Sequence, residues 1–121
     1  MVTHQTIGER DTVLTREDLA ALRENLHEQR LFREEQLRQF AADSTPPADG
    51  SRGAGQIEVR VKLAASARMV LADVEAALTR MDTGTYGTCH LCRRPIQRDR
   101  LLIVPQARYC ARCQQVREAT G

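Results

Sequence analysis

Cys89-His90-Leu91-Cys92 and, after seventeen intervening residues, Cys110-Ala111-Arg112-Cys113 hold all four cysteines of this 121-residue chain. Two C-x-x-C knuckles at this interval can converge four thiolates tetrahedrally on one Zn²⁺. Gly84 and Gly87 precede the first pair, and Pro95 follows it where the chain must turn away from a metal. A disulfide reading needs an oxidising compartment. A redox reading expects one C-x-x-C at a strand–helix turn, not two matched pairs. The spacing therefore points to Cys89, Cys92, Cys110 and Cys113 as ligands of one structural zinc per chain, with His90 a spacer. Four protein thiolates leave no open position for water or substrate. With no nucleophile–base pairing and no Gly-rich phosphate loop, no enzyme is expected. A metal replaces the core that some 40 residues cannot build alone.

Outward from this finger, the chain before Gly84 reads as two long helices. Arg16 to Ala42 contains no Gly or Pro, and Leu19, Leu22, Leu26, Leu37 and Phe40 fall near one helical face. Arg30 and Arg33 also lie on that stripe, with Leu31 and Phe32 off it. Thr15 can cap the third helical amide, and Glu17 and Asp18 suit the positive end of the dipole. A second such run, Gln56 to Asp82, carries Ile57, Val61, Ala64, Leu71, Val74, Leu78 and Met81 at near-heptad spacing. Between them, Asp43 to Gly55 is mostly Gly, Pro, Ser, Thr and Asp, and Pro46-Pro47 stops a helix. Each run would be ~40 Å long, and neither stripe can bury itself alone. The expected fold is mainly α: an antiparallel two-helix coiled-coil hairpin over residues 15–82 with its tip at 43–55. A four-cysteine finger over 83–121 follows, ending in a short helix from Gln114 to Ala119. Residues 1–14 read as a loosely attached arm.

Composition narrows the function. Aromatics are 3% of residues and Trp is absent, so a thick globular core is not expected. No apolar run approaches the ~18 residues of a membrane span. Met1 to Asp11 lacks a signal-peptide pattern, which points to the cytoplasm. The net charge is +2, but residues 1–82 carry 11 basic against 14 acidic side chains and residues 83–121 carry 7 against 2. The finger is basic and the hairpin mildly acidic. Arg93, Arg94, Arg108 and Arg112 would offset the −2 charge of a four-thiolate zinc.

A long helical hairpin followed at once by a four-cysteine finger resembles the DksA/TraR family of bacterial transcription regulators. The carrying residues are Leu71 to Leu78, Gly84-Thr85-Tyr86-Gly87-Thr88-Cys89, Cys92, Pro95-Ile96, Arg100-Leu101, Pro105 and Cys110 to Cys113. Leu14 to Leu19 also resembles the family's opening of the first helix. The resemblance implies direct binding to RNA polymerase without sequence-specific DNA binding. It implies a coiled coil that enters the secondary channel, and a tip that alters promoter open complexes. A gapless count from the first zinc cysteine places the family's two tip acids on Pro46 and Asp49, so Asp49 is the one acid kept; its following Ala falls on Ser51. The same count puts neutral Val104 and Gln114 where ppGpp-responsive members carry cations, so ppGpp dependence of that kind is not expected. Arg94, Arg98, Arg100 and Arg117 are candidate basic contacts to a partner. Two other functions compete. One is a nucleic-acid-binding zinc module using the finger's arginines, tested by salt-dependent binding. The other is an interaction adaptor that has lost channel activity through its altered tip.

Overall fold

The computed structural model describes residues 13–42 and 53–120. Four helices follow in order: α1 (Arg16–Ala42), α2 (Gly53–Thr83), α3 (Arg98–Ile103) and α4 (Ala111–Thr120). The first two pair as an antiparallel hairpin, and the last two belong to the finger.

α1 starts where its cap chemistry directs. The Asp18 amide donates to Thr15 Oγ1 at 3.0 Å, and the Thr15 amide donates to Asp18 Oδ2 at 3.0 Å. This is a reciprocal capping box, with Asp in the place more often held by Glu. The Leu19 amide closes the first turn on the Thr15 carbonyl. α2 ends as cleanly. Gly84 adopts φ +80°, and the Thr85 amide reaches back to the Arg80 carbonyl at 2.9 Å. That is a Schellman closure, and the left-handed residue it needs is a glycine.

The hairpin core sits at the base of the rod. Leu26, Val74, Ala77 and Leu78 are buried together, with Val70, Met81 and Tyr86 packed against them. Leu22 and Ala67 are buried as well. The far part of the expected α2 stripe is not: Ile57 is 49% exposed and Val61 59%. Register explains this. Arg23 pairs with Asp82 at 3.0 Å, so Ala42 stands level with about Leu63, and α2 residues 53–62 run past the last described residue of α1. Arg30, on the α1 stripe, has its Nε buried and without a hydrogen-bond partner among the described residues.

Three details depart from the sequence expectation. α2 begins at Gly53, three residues before Gln56, so Gly53 and Gly55 are helical. A glycine in a helix costs at most ~1 kcal/mol, and the space beside Gly55 is open. The remainder of the expected tip, residues 43–52 with Pro46, Asp49 and Ser51, lies outside the described residues, as do residues 1–12 of the arm. Leu14, read as the arm's last residue, packs on the finger core. Finally, α4 begins at Ala111, inside the second knuckle and ahead of Gln114. No described helix is long and apolar enough to cross a membrane.

Candidate metal centre

The finger is built on a small second core: Cys89, Ile96, Leu101 and Ala107 are buried, and Leu14, Tyr86, Val104, Tyr109, Cys110 and Cys113 pack around them. Local backbone geometry forms the first knuckle. The Cys89 amide donates to the Arg94 carbonyl at 2.9 Å, and the Arg93 amide returns to the Cys89 carbonyl at 3.1 Å. Arg93 takes φ 64° to close this loop, a conformation that costs an L-residue about 1 kcal/mol or more. The Ile96 amide then donates to the Gly87 carbonyl at 2.7 Å. The second knuckle rides on the first turn of α4, where the Cys113 amide donates to Cys110 Sγ at 3.5 Å.

Together the two knuckles bring the four Sγ atoms of Cys89, Cys92, Cys110 and Cys113 within 4.8 Å of one another. Cys92 and Cys110 are 3.9 Å apart. Four sulfurs each ~2.3 Å from a tetrahedral zinc stand about 3.8 Å apart, so the donor set fits that ion. The cysteines are unpaired by disulfides. Cys89 is fully buried and Cys92 is exposed.

The thiols are electrostatically unequal. Burial opposes ionisation of Cys89, but the amides of Cys92, Cys110 and Leu91 turn toward its sulfur and bring its pKa down to about 6. Hydrogen bonding with Cys110, followed by burial, pushes Cys113 up to about 12. A cation entering this cluster must displace protons, so its binding is coupled to pH. His90 is outside the four-ligand group. Its ring meets Tyr109 edge-on at 6.0 Å. Burial, then Arg80, Arg108 and Arg93, lower its pKa and favour the neutral ring.

The candidate partner cations are largely engaged within the fold. Arg98 grips Asp18 with both arms of its guanidinium, at 2.8 and 2.9 Å. Those bonds, with the Thr15 amide, hold the Asp18 carboxyl well below the usual carboxylate range. Arg100 Nε donates to the Tyr109 carbonyl at 2.9 Å. Arg117 stacks over the Tyr109 ring at 4.5 Å. Arg94 is exposed. Arg108, expected beside the zinc, also reaches Asp73 of α2 at 2.9 Å. Sequence reading missed Asp18, Asp73 and Tyr86 as joint residues. Only Tyr86 offered a signal, as one of four aromatics standing directly before the first knuckle.

This architecture has known counterparts. Residues 84–119 match the family described as the prokaryotic dksA/traR C4-type zinc finger. The finger is of the dksA/traR C4 type. The fold likeness is wider than the finger. The structure of transcription factor DksA2 from Pseudomonas aeruginosa superposes with a TM-score of 0.74 at 22% identity, covering 87% of this chain and 86% of that one. An uncharacterized protein of Aquifex aeolicus (strain VF5) is 38% identical over 52 residues, which is 42% of this chain. That match spans 36% of the relative's length.

Proposed function

We propose that this protein is a bacterial transcription regulator that binds RNA polymerase directly and modulates promoter open complexes by inserting its coiled coil into the secondary channel. One structural Zn²⁺, held by Cys89, Cys92, Cys110 and Cys113, keeps the finger folded, and the protein acts in the cytoplasm without catalysing a reaction. The observation that carries this reading is the shape of the rod. α2 has 31 residues, about 46 Å at the helical rise. The finger is fastened to its base, and α2 projects away from it with α1 alongside as far as about Leu63. The match of residues 84–119 to the dksA/traR finger family supports the regulatory role, and the fold likeness supports the geometry.

In this reading Asp49 is the residue that acts on the polymerase. ppGpp is not part of the proposal: Val104 and Gln114 are neutral, and the Gln114 amide donates to Glu118. The nucleic-acid reading loses ground because Arg98, Arg100 and Arg108 are already committed to acceptors inside the protein. The test is capture of core RNA polymerase by the zinc-loaded chain, followed by open-complex lifetimes with and without it. Capture with a changed lifetime is expected. Capture with unchanged lifetimes favours the adaptor, and binding to naked DNA in place of polymerase favours the nucleic-acid module.

A further inference from the structure

The finger touches both helices of the rod, and it does so at separated points. On α1, the bidentate Arg98–Asp18 pair ties the start of α3 to the first turn. On α2, Arg108 reaches Asp73, which stands ten residues, about 15 Å, before the end of the helix at Thr83. Between these pins, the Tyr86 hydroxyl donates to the Pro105 carbonyl at 2.8 Å, and Arg80 reaches toward the Ala107 carbonyl at 3.5 Å. Finger segment 98–108 thus spans the base of the hairpin from one helix to the other.

A single pin leaves a joint free to swivel. Two pins on different helices, set apart along the rod, fix its direction. The leverage is large. On a rod of about 46 Å, a swivel of roughly 10° at the base carries the far end about 8 Å. Neither pair needs to contribute much to stability; exposed ion pairs are worth ~0–1 kcal/mol. What they supply is geometry, and the bidentate fork of Arg98 is directional.

We infer that Arg98 and Arg108, through Asp18 and Asp73, are positioning residues that set the angle between finger and rod and so determine where the rod's far end lies. Resting on the reading above, they control whether polymerase bound through the base of the molecule also receives the rod in its channel. They would act through direction, with no contact to the polymerase required of either side chain.

Two measurements on the full zinc-loaded chain test this. The first is residual dipolar coupling of backbone amides, comparing wild type, the double variant Arg98→Ala/Arg108→Ala, and the charge-exchanged variant Asp73→Arg/Arg108→Asp, which keeps the Arg98–Asp18 pin and rebuilds the second with its charges exchanged. Wild-type couplings from α1, α2 and the finger should fit one alignment tensor. The double-alanine variant should need two, with helix amide protection and zinc stoichiometry unchanged. The exchanged pair should return to one tensor. A double-alanine variant that still fits the wild-type tensor overturns the inference, as does one whose helices themselves melt while the exchanged variant fails to recover a single tensor. The second measurement uses RNA polymerase. The double-alanine variant should bind within about threefold of wild type yet lose most of its effect on open-complex lifetime, and the exchanged pair should restore it. If wild type does not bind polymerase, the functional reading fails while the tensor comparison still decides the joint.

Discussion

Replacing Tyr86 tests how the two cores communicate. Among the described residues its ring is the one side chain packed against both the hairpin cluster and the finger cluster, and its hydroxyl donates to the carbonyl of buried Pro105. Tyr86→Phe keeps the ring and removes that bond, which should cost about 1 kcal/mol. Tyr86→Ala also removes the shared packing. A fully buried aromatic costs ~3–5 kcal/mol on truncation; Tyr86 is half-buried, so roughly 2–3 kcal/mol is expected. The assay is urea unfolding followed by helical circular dichroism, with and without a zinc chelator. In wild type, chelation should loosen the finger and also lower the midpoint of the hairpin, because the finger's half of the Tyr86 environment is lost. In Tyr86→Ala, the hairpin midpoint should hardly respond to chelation. A hairpin that responds equally in both proteins would refute the assignment of coupling to this ring. Burial pushes the Tyr86 hydroxyl up to about 12, with Arg80 opposing. The neutral form is the one the fold prefers, so its contribution is complete below ~10 and is lost as pH rises toward 12. Tyr86→Phe should lack that alkaline component.

Four further outcomes follow from the same contacts. Cys110→Ser should abolish stoichiometric zinc binding measured by metal analysis, since three thiolates do not close the site; retention of one tightly held zinc would reject the four-ligand assignment. Leu26→Ala, at a fully buried seam position, should cost about 2–5 kcal/mol in urea unfolding, and a cost under 1 kcal/mol would mean that the seam is not packed as described. Arg93→Gly should stabilise the finger by up to about 1 kcal/mol, because its φ of 64° suits glycine; destabilisation would show that the guanidinium matters more than the backbone. Asp18 is held below the ordinary carboxylate range by Arg98 and then by the Thr15 amide. Its contribution is therefore complete above ~3.9 and is lost as pH falls through the depressed value, so Asp18→Asn should flatten the acid limb of the stability profile, read by circular dichroism.

The features legible in the sequence were those with local signals. Thr15 and Asp18 mark a helix start because their capping partners lie within one turn. Gly84 marks a stop because a left-handed residue is needed there. The cysteine spacing names the four clustered thiols because the knuckle is closed by its own backbone. What escaped depends on distant partners. Arg98 reads as a free cation until Asp18, eighty residues away in sequence, is placed beside it. Leu14 reads as part of an arm until the finger core covers it. α3 is a six-residue helix, too short to show a period. Ile57 and Val61 look like core on pattern alone; only the register of the hairpin shows that α2 runs past the described part of α1.

In the proposed role the rod, presented by a zinc-held base, enters RNA polymerase. A photo-crosslinking amino acid at exposed Val59, in the far half of α2, tests it most directly in the zinc-loaded chain mixed with polymerase and promoter DNA. Cross-links are expected to the large polymerase subunits that line the secondary channel, lost when Cys110→Ser removes the metal. Cross-links to DNA alone, or none to polymerase under conditions where the finger is folded, would contradict it.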